Sequence, residues 1–182
     1  MLSCISPRAR AKSSILTSLE LKPSSYHVAT LHRAELTDDS VRLHALLTVH
    51  GDLDLPVVLP LHPRARARLG AAPQYFGRLR FIEPLGYLDM LHFVASSSRV
   101  LTDSGGLQKE AYWLGRPCLT LRAETEWGET VESGWNHLVH DVPAKIRAAL
   151  ELPTPALRPS LYGTGDAATS IADPLGRRSP RP

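Results

Sequence analysis

Short apolar runs alternate along the chain with longer segments in which apolar residues recur every three or four positions. A short run bounded by Gly, Pro or polar residues is typical of a buried strand, and the longer periodicity is typical of an amphipathic helix. Six runs are predicted to be strands: Tyr26–Leu31, Leu55–Pro60, Arg80–Ile82, Arg99–Thr102, Cys118–Leu121 and Trp135–His140.

Helices are predicted between these strands. Either Asp38 or Asp39 can cap one of them, and another has Pro143 in its first turn. The predicted helical segments are Ser13–Leu21, Val41–Leu47, Ala65–Leu69, Gly86–Val94, Gly106–Leu114 and Pro143–Leu150. The alternation indicates an α/β fold, a doubly wound parallel sheet with helices on both faces. Because such sheets bind ligands beyond the carboxyl ends of their strands, functional residues are expected directly after strands.

Length and composition narrow the class of protein. A chain of 182 residues that is 43% hydrophobic fits a single domain with a sizeable core. We expect an irregular amino terminus over residues 1–12, the domain over residues 13–175 and a basic tail over residues 176–182. The net charge is only +3, and aromatic residues make up 6% of the chain. This balance argues against a nucleic-acid-binding surface, which needs a basic stripe and stacking aromatics.

Cysteine content and hydropathy indicate the cellular compartment in which the protein is expected. Cys4 and Cys118 are too few for a disulfide framework and match no metal-binding spacing. Cys118 lies in an apolar run and is expected to be a buried small hydrophobe. No window approaches about 18 apolar residues. These features favour a reduced, cytoplasmic compartment and no contact with a membrane.

The segment from Val100 to Ala111 carries the most chemistry. A predicted strand runs into Asp-Ser-Gly-Gly and then into a predicted helix. Gly105 and Gly106 allow a bound group to approach the backbone closely, and a helix start offers unpaired N–H groups and a positive dipole end. With the Ser104 hydroxyl these groups favour a phosphate cradle, and Glu110 lies where it could reach a ribose. The alternative is a structural turn with an N-cap.

Two other loops group basic residues after strands. His32 and Arg33 place an imidazole beside a guanidinium, which suits contact with a pyrophosphate or proton transfer near one. His62 and Arg64 flank Pro63, which fixes the turn, and both could point into the same cleft. A histidine in a loop can equally be solvated or bonded locally, so this alternative stays open.

A charged loop after the fifth predicted strand adds Arg122, Glu126 and Glu129 to Trp127 and Trp135. Such a loop can be an ordinary solvated surface. The tryptophans favour packing or stacking instead, because large aromatic rings gain most when they are buried.

Taken in order, these segments resemble the carboxyl-terminal half of the non-hydrolysing UDP-N-acetylglucosamine 2-epimerases. The resemblance covers roughly residues 13–173, and its strength lies in the ordered set rather than in any single motif. The matching segments are Thr30–Glu35, Pro60–Arg64, Glu83–Leu88, Leu101–Gln108, Leu114–Pro117, Arg122–Trp127, Glu129–Asn136 and Tyr162–Ala168. The Thr-Glu-Trp and Gly-Trp-Asn forms resemble the branch that acts on UDP-diacetamido-glucuronic acid.

The resemblance implies a fold and a reaction. Family members resemble two-domain glycosyltransferases of the B type, in which two Rossmann-like domains face each other and the second holds most of the nucleotide. They invert carbon 2 of the sugar by anti elimination of UDP to a glycal and re-addition with the opposite configuration. Neither a metal nor a nicotinamide cofactor is implied. The implied ligand is a UDP-sugar.

Carried over residue by residue, the resemblance puts Ser104, Gly105 and Gly106 at the diphosphate and Glu110 at the ribose. It implies that His32 is the active-site histidine, which contacts the phosphates or helps the departing UDP. The other implied substrate-binding residues are Arg33, His62, Arg64, Met90, Arg122, Trp127 and Glu129. Of these, Met90 takes a place in the uridine pocket that is usually aromatic, and a flexible thioether can fill that space.

The sequence also departs from the family pattern. Family members are about twice as long, and their first half normally contributes the carboxylates held responsible for proton transfer at the sugar. We therefore expect this chain alone to bind UDP weakly and to lack epimerase activity. It could be a fragment, a degraded gene product or one half of a split enzyme, with a separate first half or a second copy as its partner. Lys109 replaces an acidic residue, on what is expected to be an exposed helix face. His140 stands where glycine often follows Leu-Val, which predicts a strained turn.

Two further readings stay open. The chain could be a UDP-sugar-binding module without catalysis, which would bind UDP but show no turnover when a first half is supplied. It could also be part of a glycosyltransferase of the same architecture, although the Thr30–Glu35 and Pro60–Arg64 segments favour the epimerase.

Overall fold

A computed structural model describes residues 12–61, 66, 75–163 and 172. The predicted turn at Ala65–Leu69 falls, apart from Arg66, outside these residues, as do His62 and Arg64. The domain limits predicted from the sequence stay predictions.

Seven strands form one sheet in the described part of the chain, in the order β3-β4-β2-β1-β5-β6-β7. All neighbours are parallel except β3 and β4. The sequence prediction of six parallel strands is confirmed, each within a few residues at its ends, and β3 was missed because it has only two residues. The strands are β1 (His27–Thr30), β2 (Val57–Pro60), β3 (Tyr75–Phe76), β4 (Leu79–Ile82), β5 (Val100–Thr102), β6 (Cys118–Thr120) and β7 (Asn136–Leu138).

The order of the parallel strands locates a binding crevice. From β4 to β7 they lie in the chain order third, second, first, fourth, fifth, sixth, which is the Rossmann arrangement. The order reverses between β1 and β5, so the loops after these two strands diverge to opposite sides of the sheet. Ligands of doubly wound folds bind in the crevice that this divergence leaves.

Seven helices are described, and five of them match predicted segments. Asp39 caps the second of these five, because its Oδ1 accepts hydrogen bonds from the N–H groups of Val41 and Arg42, each at 3.0 Å. Two single-turn helices, Ala34–Thr37 and Gly128–Glu132, were not predicted. The helices are α1 (Ile15–Ser18), α2 (Ala34–Thr37), α3 (Ser40–Gly51), α4 (Tyr87–Ser96), α5 (Gly105–Trp113), α6 (Gly128–Glu132) and α7 (Pro143–Glu151).

Successive residues of the central strands face two different cores. In β1, Val28 packs into one cluster with Phe93, and Ala29 packs into the other with Leu46. This alternation follows from the pleat of a strand, and it places α4 and α5 on one face of the sheet and α3 and α7 on the other. Cys118 lies in the first cluster and is buried, as predicted, and burial raises its pKa to about 12.

The end of α3 meets the β3–β4 hairpin without room for a side chain. A Cβ added to Gly51 would lie 2.3 Å from the carbonyl oxygen of Phe76, and Gly77 turns there with φ +60°. The backbone N–H of Arg78 donates to the Gly51 carbonyl at 2.8 Å. Only glycine at position 51 therefore lets the helix and the hairpin approach this closely.

Gly51→Ala is accordingly expected to lower the free energy of unfolding by about 2 kcal/mol, because the backbone of the hairpin must move away. Urea unfolding followed by circular dichroism measures this. Gly128→Ala is the matched control, since its added Cβ meets no atom within 4 Å. Equal midpoints for the two variants would contradict the close packing.

Candidate functional site

The two strands at the reversal are joined by side chains at their carboxyl ends. The hydroxyl oxygens of Thr30 and Thr102 lie 2.6 Å apart, and the backbone N–H of Ser104 donates to the Thr102 hydroxyl at 3.0 Å. These bonds hold the start of the β5–α5 loop against the end of β1.

Asp103 connects the two diverging loops. Its carboxylate is fully buried and accepts hydrogen bonds from the backbone N–H groups of His32, at 2.9 Å, and Arg33, at 2.8 Å. Burial alone would raise the pKa of this carboxyl, but the bonds from His32 and Arg33 outweigh burial and keep the pKa below its ordinary value. The ionised carboxylate therefore fixes the loop that carries His32 and Arg33.

His32 lies at the crevice. Its imidazole is 46% exposed, and its Nδ1 is 3.6 Å from the Asp103 carboxylate. A carboxylate in this place favours a proton on Nδ1 and orients the ring, as in sites where histidine exchanges protons. The structure thus brings the predicted active-site histidine to the carboxyl end of β1.

The segment predicted to cradle a phosphate forms a helix start. Ser104 is the N-cap of α5, and its hydroxyl accepts from the N–H of Leu107 at 3.4 Å. The helix begins at Gly105, one residue before the predicted start. Gly106 is exposed, and a Cβ added to it would meet only the Ser104 hydroxyl, at 4.0 Å. The first turn of α5 is therefore open toward the crevice.

The loop after β6 covers the other side of this helix start. A Cβ on Gly105 would lie 2.0 Å from Oε1 of Glu126, and Oε2 of Glu126 accepts from Arg122 at 2.7 Å. A bond to its own backbone and the Arg122 guanidinium lower the pKa of Glu126. The indole N–H of Trp127 donates to the Gly105 carbonyl at 2.8 Å. Trp127 and Arg122 thus lie in a loop that contacts the start of α5.

Buried polar bonds anchor this loop. The Gln108 side-chain oxygen on α5 accepts from the Thr125 hydroxyl at 2.6 Å and from the Asn136 amide at 3.1 Å. Asn136 also donates to the Thr130 hydroxyl at 3.2 Å. The bonds link α5, the loop, α6 and β7, so the loop has a defined position beside α5.

Glu110 and Met90 lie on α5 and α4. Burial raises the pKa of the Glu110 carboxyl, and burial together with the charge of Glu110 raises the pKa of Tyr87 at the start of α4. Met90 is half-buried against the core cluster shared by both helices. Contact of Glu110 with the ribose and of Met90 with the uracil stays a prediction.

A cavity of about 170 Å³ opens beyond the ends of β1, β6 and β7. It brings together Arg33 and Arg122, two of the predicted binding residues. Its lining consists of Arg33, Leu36, Arg42, Leu121, Arg122, Ala123, Glu124 and His140.

His140 has the strained backbone that the sequence predicts, with φ +54°. Its Nδ1 is 2.7 Å from Asp141, and its Nε2 is 3.1 Å from the Arg42 guanidinium. Because arginine only donates, Nε2 accepts and the proton lies on Nδ1, facing Asp141. His140 therefore locks the β7–α7 turn to the start of α3.

Two residues correct or extend the sequence reasoning. Asp103 was not predicted to be a site residue, because an Asp before Ser-Gly-Gly is typical of an ordinary turn. Lys109 was expected on an exposed face, which is wrong: it is half-buried, and its ammonium lies under aromatic rings from three segments.

A family model described as UDP-N-acetylglucosamine 2-epimerase matches residues 3–176. The chain belongs to the UDP-N-acetylglucosamine 2-epimerase family. This confirms the family that the ordered motifs resemble.

Relatives in this epimerase family include a UDP-2,3-diacetamido-2,3-dideoxy-D-glucuronate 2-epimerase of Pseudomonas aeruginosa, 42% identical over 82% of this chain and 44% of the relative. A UDP-N-acetylglucosamine 2-epimerase homolog of Methanococcus maripaludis is 38% identical over 86% of this chain and 45% of the relative. The crystal structure of the Methanocaldococcus jannaschii UDP-GlcNAc 2-epimerase in complex with UDP-GlcNAc and UDP superposes with a TM-score of 0.79 at 31% identity, over 94% of this chain and 50% of that one.

The chain spans about half the length of these epimerase relatives. Within the residues that the structure describes, no helix combines the length and apolar character needed to cross a membrane.

Proposed function

We propose that this chain forms the nucleotide-binding half of a UDP-sugar 2-epimerase. The observation that carries the proposal is the open first turn of α5 at the strand-order reversal, beside the Asp103-bound loop that holds His32. In this proposal the N–H groups of the α5 start bind the diphosphate, with the Ser104 hydroxyl as a further donor. The relative from M. jannaschii, whose structure contains UDP-GlcNAc and UDP, supports this assignment.

Roles are proposed for the remaining site residues as well. Glu110 is proposed to bind the ribose, Met90 to pack against the uracil, and Arg33 and Arg122 to meet charge on the diphosphate or sugar. Trp127 and Glu129 shape the covering loop. His62 and Arg64 lie outside the described part of the chain and stay predicted binding residues. The cytoplasmic location of the protein also stays a prediction.

The proposed reaction inverts carbon 2 by elimination of UDP and its re-addition. In this proposal Nδ1 of His32 stays with Asp103, and His32 donates from Nε2 to the departing diphosphate. Elimination also needs a base within hydrogen-bond reach of carbon 2. We propose that a first domain supplies that carboxylate, on the same or a separate chain, so the half described by this sequence binds UDP without epimerising the sugar.

The diacetamido-glucuronate sugar is a second candidate substrate. The P. aeruginosa relative carries that name, and Arg33 and Arg122 both line the cavity. Arginine pairs well with carboxylate, so a sugar with a C6 carboxylate fits this cavity. Competition binding between UDP-GlcNAc and a UDP-uronate discriminates the two candidates.

Thermal unfolding with and without excess UDP tests the proposed nucleotide site. UDP at a hundred times its dissociation constant stabilises the folded state by about 2.7 kcal/mol, which raises the melting temperature by several degrees in a domain of this size. Ser104→Ala is expected to reduce that UDP-dependent increase, because one hydroxyl donor is lost.

The comparison is made within each variant, since loss of the N-cap alone lowers stability by about 1 kcal/mol. Ser18→Ala, the same change on the exposed end of α1, is expected to keep the full increase. If excess UDP does not change the melting temperature of the well-folded wild-type protein, the proposal is refuted.

A further inference from the structure

The ammonium group of Lys109 lies among three aromatic rings. Its Nζ is 4.4 Å from the ring centre of Trp127, 4.5 Å from that of Tyr162 and 4.9 Å from that of Trp113. Each distance is within the range of a cation–π contact. Three such contacts on one ammonium form a cage, defined here as Lys109, Trp113, Trp127 and Tyr162.

The cage gathers segments that are distant in the chain. Trp113 ends α5, Trp127 precedes α6, and Tyr162 lies near the end of the described residues. The Tyr162 ring meets Trp113 edge-on at 5.6 Å and Trp127 edge-on at 5.8 Å. These edge contacts set the angles between the rings, and the ammonium fills the space that their faces leave.

Charge around the cage is balanced. Glu129 lies in the first turn of α6, close to both Tyr162 and Lys109. Its own backbone and the neighbouring Tyr162 lower the pKa of Glu129, and Lys109 acts in the same direction. Lys109 therefore keeps an anionic neighbour while its ammonium faces rings rather than water alone, which favours one fixed position for this long side chain.

The cage is linked directly to the start of α5. Lys109 follows Gly105 by four residues and so lies on the same face of the helix, one turn further along. The Trp127 indole spans this turn: its N–H donates to the Gly105 carbonyl at 2.8 Å, while its ring lies against the Lys109 ammonium. A shift of the indole would move both the Gly105 contact and the loop that carries Arg122.

We propose that Lys109 is a positioning residue for nucleotide binding: through the cage it holds the Trp127 loop and the Tyr162 segment against α5. This inference rests on the proposed function, since the ligand is UDP. Lys109 acts through Trp127 and does not itself touch the diphosphate.

Nuclear magnetic resonance of the whole chain tests the cage without ligand. The ε-methylene protons of Lys109 are expected far upfield of those of Lys145, an exposed lysine on α7, because three ring faces shield them. Lys109→Met is expected to shift the tryptophan emission spectrum, and Lys145→Met is expected to leave it unchanged. Equal chemical shifts for the two lysines would overturn the cage.

Calorimetric titration with UDP tests the positioning role. Lys109→Met keeps the aliphatic stem but removes the charge, and is expected to weaken UDP binding roughly tenfold. Lys109→Arg keeps a cation that stacks on aromatic rings and is expected to restore most of the affinity, while Lys145→Met binds as the wild type does.

The outcomes separate the two proposals. If the wild-type protein binds UDP and Lys109→Met binds it with the same affinity, the positioning role is overturned but the proposed function is not. Failure of the folded wild-type protein to bind UDP overturns the proposed function and the positioning role with it. Loss of affinity that Lys109→Arg does not rescue also contradicts the positioning role, since it points to damage unrelated to the cation.

Discussion

Asp103→Ala is expected to lower the free energy of unfolding by about 4 kcal/mol and to weaken UDP binding with it. The substitution leaves the N–H groups of His32 and Arg33 without their charged acceptor, and bonds to a charged group contribute about 1.5–3 kcal/mol each. The loop after β1 is then no longer held to the loop after β5, so His32 loses its fixed position. Urea unfolding and UDP titration measure the two effects.

Two comparisons make the Asp103 result specific. Asp52→Ala removes a carboxylate that is 58% exposed and 3.8 Å from Arg147, and is expected to change stability by less than about 1 kcal/mol. The folded pKa of Asp103 lies below its ordinary value, so its contribution is present at neutral pH and is lost as the pH falls through the folded pKa. If the difference in free energy of unfolding between the wild type and Asp103→Ala stayed constant as the pH fell through the folded pKa of Asp103, the carboxylate charge would not be the source of that difference.

Stability is expected to fall by about 3 kcal/mol between pH 7 and pH 4 because of His50. This residue is fully buried on α3, its Nδ1 lies 2.7 Å from the Leu46 carbonyl, and burial lowers its pKa to about 4 from an ordinary 6.5. Between these values the unfolded chain binds a proton that the folded chain does not, so stability rises with pH. Each pKa unit corresponds to about 1.4 kcal/mol.

Urea unfolding at several pH values checks the His50 prediction. His50→Asn keeps a side-chain donor but does not titrate, so its stability is expected to depend less on pH, whatever its absolute value. His44→Asn, on the exposed side of the same helix, is expected to keep the wild-type slope. His27, whose pKa is lowered mainly by burial, adds to the slope in the same direction. An unchanged slope in His50→Asn would rule out this histidine as its source.

The hydrophobic pattern predicts most of the sheet for a physical reason. Strands such as β1 and β5 are buried on both faces, and burial on both faces requires apolar runs that are visible in the sequence. The two-residue β3 and the single-turn helices α2 and α6 carry no such run. Their positions depend on tertiary contacts, such as the fit of the Gly77 turn against Gly51.

The candidate site was predicted where local chemistry shows it and missed where distant residues create it. The Ser104 N-cap and the glycines after it follow from a strand, a turn and a helix in sequence. The positive φ of His140 follows from a side chain where glycine is usual. The role of Asp103 depends on N–H groups about 70 residues away, and the aromatic cage of Lys109 joins segments that only folding brings together.

If the start of α5 binds the diphosphate as proposed, the Arg122–Glu126 pair beside Gly105 makes that binding an exchange of partners for Arg122 rather than a simple addition. A diphosphate at the helix start would find the Arg122 guanidinium already paired with the Glu126 carboxylate. Arg122 could pair with the diphosphate only if Glu126 turned toward solvent. The carboxylate then acts as an internal counterion, released from the arginine in place of a chloride from bulk. The affinity for UDP is therefore expected to depend less steeply on salt concentration than it would if every cationic side chain at the crevice were free to pair with the diphosphate.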